Sequence, residues 1–241
     1  MSLLSFIAGL FRALSSKPAP VPVILPKDTA PMQPDQTHRF EVIDNRLADN
    51  NRVVKYVASP NVTKGRELMQ RFILMHYTAG GFAGSLNTLT SANAKVSAHF
   101  LMDTDGDITQ LVPLNRIAWH AGNSQTLSKW GTQHTDLNQF SIGIELVNYG
   151  YDGAHVPGSV DKSGWKTATH YKERSPRLWQ PYTDEQWETS IALVAALCKA
   201  YGIPVENIKG HDEVSLSGKV DPGPLFDMKA FQAAVQQRMN D

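Results

Sequence analysis

The chain has 241 residues, which at roughly 150 residues per domain allows one domain with extensions or two small ones. Hydrophobic residues make up 41% and charged residues 19%, so a packed core is feasible and wholesale disorder is excluded. Lysine plus arginine (23) balances aspartate plus glutamate (23), which argues against a protein built mainly to grip nucleic acid, and the single cysteine, Cys198, excludes an intrachain disulfide and zinc sites built on paired cysteines.

Residues 1–16 open the chain with an apolar segment in which Leu3, Leu4, Phe6, Ile7, Leu10, Phe11 and Leu14 recur at helical spacing. A secretory signal calls for positive charge ahead of the apolar stretch, and here Arg12 comes after its start. A cleaved signal, an amphipathic membrane anchor or partner helix, and a terminus without function all stay open. Residues 17–39 read as a linker, since Pro18, Pro20, Pro22, Pro26, Pro31 and Pro34 prevent a helix or central strand. The main domain is expected over residues 40–241. No run of about 18 apolar residues exists, so no ordinary membrane-spanning helix is expected.

Phe72–Met75 is a short apolar run ending at His76 and predicts a buried strand. Residues 85–95 predict a helix. Ala98–Met102 and Ile108–Val112, joined by Asp103–Asp107, predict a hairpin. The three aspartates of that turn do not make a calcium loop, because Ile108 and Leu114 stand where such a loop needs glycine and a carboxylate. Ser141–Val147 alternates Ile142, Ile144 and Leu146 on one face with Glu145 on the other. Residues 151–182 lack a period and carry many aromatic and basic residues. They predict an insertion that is either a lid or rim beside a cleft or a cover for an edge strand. Thr183 and Gln186 form a capping box for a helix that Gly202 ends, and Phe226–Met239 is a last amphipathic helix. The interleaving predicts an α/β fold with a mixed central sheet flanked by helices.

Eight histidines are available, and each taken alone is most often a satisfied core or surface residue. Two have a distinctive context: His76 at the end of an apolar strand, and His211 in Gly210-His-Asp, shortly before Lys219-Val-Asp-Pro-Gly-Pro224. His76, His211 and Asp221 would form the two-nitrogen, one-oxygen set of a catalytic zinc site. Spacing alone leaves that set as one reading among others.

His76-Tyr-Thr-Ala, Ser97-Ala-His-Phe, Trp119-His-Ala-Gly122, Ser141-Ile-Gly-Ile-Glu145, Gly210-His-Asp and Lys219-Val-Asp-Pro-Gly-Pro224 follow one another in the order found in zinc-dependent N-acetylmuramoyl-L-alanine amidases. The chain thus resembles the amidase-2 family of phage lysins and bacterial muropeptide amidases over about residues 66–235. The resemblance implies a single catalytic domain of peptidoglycan-recognition-like fold and one Zn2+ held by His76, His211 and Asp221. It implies Glu145 as the general base toward the attacking water, and Lys219 as the cation that stabilises the oxyanion. His99, Trp119, His120 and Asn148 are expected near the substrate, with Tyr149 beside them.

The chain has Ala98 where a phage lysozyme subgroup carries a tyrosine, and it has Glu145 and Asp221. It therefore resembles the glutamate-using bacterial subgroup. The implied reaction is hydrolysis of the amide between the lactyl group of N-acetylmuramic acid and L-alanine. The alternatives are a non-catalytic peptidoglycan-binding module and a zinc hydrolase of another amide. The expected partners are peptidoglycan or muropeptide fragments and no nucleic acid, with a membrane or partner contact reserved for residues 1–14 and a monomer as the expected state. A cell-wall substrate and the unusual N-terminus point to periplasmic or exported action. Lysin, recycling enzyme and toxin can share every residue named.

Overall fold

The structure, a computed structural model, describes residues 38–50 and 52–241. The apolar segment 1–16 and the linker up to residue 37 lie outside the described residues, and so do the readings placed on them.

The centre is a six-stranded mixed sheet. In chain order its strands are β1 (Lys55–Tyr56), β2 (Phe72–Tyr77), β3 (Phe100–Met102), β4 (Ile108–Gln110), β5 (Ser141–Leu146) and β6 (Ile208–Gly210). Their order across the sheet is β6-β2-β5-β3-β4-β1. Strand β5 runs parallel to β2 and β3, β6 runs parallel to β2, and the β3–β4 hairpin is antiparallel with Met102 opposite Ile108. The sheet is mixed, as the interleaved pattern and the hairpin predict. The hairpin is shorter than expected, because its strands start at Phe100 and end at Gln110.

Helix α1 (Phe82–Thr90) begins before the predicted position and stops earlier. Its entry is glycine-rich, and Gly81 caps it without a side-chain hydrogen bond. The Ser85 hydroxyl and backbone N–H both donate to the Gly81 carbonyl, which ties the first turn but supplies no acceptor for its free N–H groups. Beyond Thr90 the chain turns through a short 3-10 segment, and Lys95 takes a left-handed conformation that ends the run. Helix α2 (Asp184–Tyr201) starts at the Thr183–Gln186 capping box and ends at Gly202, at φ 64°. A short α3 (His211–Val214) follows β6 directly, and α4 (Met228–Asn240) is capped by the Asp227 side chain.

Strand alternation sorts the sheet into two faces. Ile73, Met75, Phe100, Ile142, Ile144 and Ile208 pack against Ile191, Val194 and Cys198 of α2 and Phe231 and Val235 of α4. That face is the main core. Leu74, His76, Gly143 and Glu145 take the opposite face, where Leu74 packs with Ala121, Leu137 and Val214 of α3. The polar residues of the apolar strands therefore collect on one side, away from the helical layer. Among the described residues, no helix is long and apolar enough to cross a membrane.

Candidate metal centre and cleft

Parallel pairing puts Glu145 of β5 directly beside His76 of β2. On the other flank of β2, β6 ends at Gly210 and delivers His211 as the first residue of α3. The Lys219–Pro224 turn folds back beside it. Asp212 donates its backbone N–H to the Asp221 carbonyl at 2.7 Å, and the Tyr182 hydroxyl donates to the Pro222 carbonyl at 2.8 Å. Three residues far apart in sequence thus converge. The Nδ1 atoms of His76 and His211 each lie 3.0 Å from Asp221 Oδ2. All three side chains are buried, with their ligand-type atoms within 4.8 Å of one another.

The outer hydrogen bonds decide where the ring protons sit. His120 Nε2 faces the Ser141 carbonyl at 3.2 Å, and a carbonyl only accepts, so Nε2 carries the proton. His120 Nδ1 is then the acceptor for His76 Nε2–H, 3.1 Å away. His211 Nε2 in turn donates to the Ala121 carbonyl at 3.3 Å. In neutral rings both Nδ1 lone pairs are left bare, and both point at a carboxylate oxygen. Burial keeps His76 and His120 neutral by lowering their pKa values, with the neighbouring His211 and His76 respectively adding to the effect. Burial alone would raise Asp221. Where an Nδ1 carries a proton it donates to Asp221 Oδ2, and that hydrogen bonding outweighs the burial and holds the carboxyl below the usual carboxylate range. With no proton between them, these three electron-pair donors would fit a divalent cation, which displaces any proton on Nδ1. Two imidazoles and one carboxylate match the set used by catalytic zinc.

Glu145 is half-buried, and its Oε2 has no hydrogen-bond partner among the described residues. Burial pushes it up to about 8, with the Asp221 carboxylate adding to the rise and Lys219 opposing it. Such a carboxyl binds its proton more tightly in the folded chain than in the unfolded one. In metal-free protein the Glu145 contribution to stability therefore falls as pH rises from 4.5, the ordinary value, to about 8. Asp221 has the opposite sign, and its contribution is lost only on acidification below the ordinary value of 3.8. We expect Glu145→Gln to flatten the decline between those limits. Melting curves in chelator across this range check it, and parallel curves for the two proteins would refute it.

His76, Glu145, His211, Lys219 and Asp221 open into a cavity of about 680 Å³. Trp119 and His120 line the same cavity, with the Trp119 indole N–H held by Thr63 Oγ1 at 3.0 Å. Lys219 is exposed at the rim. Two residues expected near the substrate lie elsewhere. His99 is fully buried behind the wall, accepting the Gly143 N–H at Nδ1 and donating to the Arg116 carbonyl from Nε2, so it ties β3 to its surroundings. Burial lowers it to about 4. Asn148 is buried too, and its amide bonds the Gln180 and Pro181 carbonyls and the Gly150 N–H. Both are structural groups here. Tyr149 donates its backbone N–H to Gln180 Oε1.

Other residues that shape the site are not evident from sequence. Gly143 is one. A Cβ there would meet the His120 ring at 2.5 Å, so only glycine lets the imidazole lie against the sheet. A glycine interrupting an alternating strand is the available signal for such close approach. Gly143→Ala should displace His120, weaken metal binding and cost about 1–3 kcal/mol of stability. Denaturant melts and metal titration check both effects. The 151–182 insertion supplies Tyr151 and His155 to the cavity wall. It contains a hairpin, Lys166–Ala168 with Arg177–Trp179, whose Trp179 is buried and donates its indole N–H to the Ala168 carbonyl. Tyr151 sits edge-on to Trp179 at 5.3 Å, beneath the Arg177 guanidinium.

A family model described as N-acetylmuramoyl-L-alanine amidase matches residues 66–224. The N-acetylmuramoyl-L-alanine amidase AmiD of Escherichia coli (strain K12) is 34% identical over 174 residues, covering 69% of this chain and 52% of that protein. The 1,6-anhydro-N-acetylmuramyl-L-alanine amidase AmpD of the same organism is 34% identical over 146 residues, covering 61% of this chain and 62% of the relative. The chain therefore spans about half to three fifths of the length of these curated relatives. A solved structure of a selenomethionine AmpD derivative superposes with a TM-score of 0.57 at 26% identity, covering 80% of this chain and 98% of the other. AmiD from E. coli, solved with the substrate anhydro-N-acetylmuramic acid-L-Ala-D-gamma-Glu-L-Lys, superposes with a TM-score of 0.54 at 28% identity, covering 81% of this chain and 65% of the other.

Proposed function

The chain belongs to the amidase-2 family of N-acetylmuramoyl-L-alanine amidases, and from that membership we propose that it hydrolyses the amide between the lactyl group of N-acetylmuramic acid and L-alanine of the stem peptide. The observation that carries this reading is the convergence of His76 Nδ1, His211 Nδ1 and Asp221 Oδ2 beside the carboxyl of Glu145. His76, His211 and Asp221 would hold one zinc ion. When bound, zinc supplies a Lewis acid that acidifies water and polarises a carbonyl.

The protein groups around it have separate tasks. Glu145, next to His76 in the sheet, takes the proton of the attacking water at a carboxylate oxygen and returns it to the departing alanine nitrogen. The charge of the zinc ion would favour the ionised carboxylate that this needs. Lys219 at the rim supplies positive charge where the lactyl carbonyl oxygen becomes an oxyanion, which stabilises the transition state over the ground state. Trp119 offers an aromatic face to the sugar, and His120 orients His76 through their 3.1 Å hydrogen bond. The 151–182 insertion forms one wall of the substrate cleft. We expect Lys219→Ala to lower kcat by about 10²–10³-fold with little change in KM. Steady-state kinetics on a soluble muropeptide check this, and an unchanged kcat would remove the role.

AmpD is named for a 1,6-anhydro-N-acetylmuramyl-L-alanine amide, and the AmiD structure holds anhydro-N-acetylmuramic acid-L-Ala-D-gamma-Glu-L-Lys. The experiment that tests the proposal compares hydrolysis of such a muropeptide with that of an unrelated N-acyl peptide. Cleavage of the first alone supports the reading. Equal cleavage of both would favour a zinc hydrolase of broader scope, and tight binding without cleavage would favour a recognition module. Action in the periplasm or outside the cell is part of the proposal, and it rests on the wall substrate and on residues 1–37.

A further inference from the structure

The insertion does more than border the cleft. His170, 1% exposed, places Nε2 2.8 Å from Asp212 Oδ2. Its Nδ1 accepts the Lys172 backbone N–H at 3.1 Å, so the proton belongs on Nε2 and is donated to the carboxylate. The Lys172 ammonium reaches back to the carbonyl oxygen of Asp212 and, at 3.4 Å, to that of Lys219. Asp212 is thus held at both its side chain and its main chain by two residues of the insertion.

Asp212 also sits between two of the converging residues. It follows His211 directly, and its backbone N–H is bonded to the Asp221 carbonyl at 2.7 Å. Its other carboxylate oxygen accepts the Glu213 N–H at 2.8 Å. The packing around it is tight, since a Cβ on Gly210 would stand 2.1 Å from Asp212 Oδ1. A shift of Asp212 therefore moves His211 through the chain and Asp221 through the backbone hydrogen bond.

We propose that His170 is a positioning residue for the metal centre, a strut from the 151–182 insertion that fixes Asp212 and through it the relative placement of His211 and Asp221. The proposal rests on the metal-site reading above. It stands one hydrogen bond further out than a ligand's own partner, whose loss typically costs about 10–100-fold in metal affinity, so a several-fold loss is expected. His170 touches neither substrate nor metal, so its effect runs through ligand geometry.

The test measures zinc affinity by chelator competition and the visible absorption of the cobalt(II) form, for full-length wild type, His170→Ala and His170→Gln. Folding is followed by circular dichroism. His170→Ala should remain folded, bind zinc several-fold more weakly and show altered cobalt bands. At saturating zinc its KM should stay at the wild-type value. Glutamine restores a donor toward Asp212 Oδ2 and should recover most of the affinity. A folded His170→Ala protein with wild-type zinc affinity and cobalt spectrum would overturn the proposal. Should alanine prevent folding, Lys172→Met removes the second strut from an exposed position. Several-fold weaker zinc binding in that variant supports the strut, and wild-type affinity overturns it. Failure of the metal reading itself would appear separately, as a wild-type protein that takes up no zinc, and it would overturn both.

Discussion

His211→Ala should lose zinc and turnover together. The substitution removes one of two imidazole nitrogens and leaves Asp221 Oδ2 and His76 Nδ1 as a two-donor remnant. It also removes the Nε2–H that bonds the Ala121 carbonyl, so the loop carrying Trp119 and His120 loses an anchor to α3. A Lewis acid contributes several kcal/mol to transition-state stabilisation, and 4 kcal/mol is roughly a 10³-fold change in rate. We therefore expect kcat to fall by about 10³-fold or more, with less than stoichiometric zinc in the purified protein. Metal content and kcat measured on the same preparation check this. A variant with full zinc occupancy would remove His211 from the ligand set.

Glu145→Ala should separate the two properties. Its carboxylate is beside His76 in the sheet but outside the converging trio, so zinc content should match wild type. Turnover should fall by about 10²–10⁴-fold, the usual contribution of a positioned general base. KM should change little, because the proton transfer belongs to the transition state. The acid limb of the pH–rate profile should vanish with the carboxylate that produces it. Normal kcat in a zinc-loaded Glu145→Ala protein would end the base assignment. The contrast with His211→Ala is the informative part: one variant loses the metal, and the other keeps it and loses chemistry.

Much of the fold is legible because local rules are strong where the core is built. The Thr183–Gln186 capping box fixes the start of α2 and Gly202 its end. The alternation of Ile142, Ile144 and Leu146 identifies β5 and sets Glu145 on the face opposite the helices. Helix α1 is misplaced because its first turn contains Gly84, and Gly81 caps it with backbone alone. Its stabilisation comes from the packing of Leu89, with Phe82 and Leu86, against Ala98, Leu101 and Val112, which no local signal reports.

The site divides in the same way. His76, His211, Asp221 and Glu145 are recognisable because each sits in a short block of distinctive type, and the structure brings all four to one cavity. His99 sits inside such a block and Asn148 just beyond one, yet their side chains turn into the protein and satisfy backbone groups. A sequence does not say which way a buried polar side chain faces. The His170–Asp212 pair joins residues 42 apart, from an aperiodic insertion to a helix terminus, and only the folded chain reveals it.

The measurement that bears most directly on the central claim is digestion of purified peptidoglycan with and without a chelator, read by mass spectrometry. The account predicts free stem peptides that begin at L-alanine, abolished by chelation and restored by zinc. Release that persists in chelator, or products cut at any other bond, would contradict it.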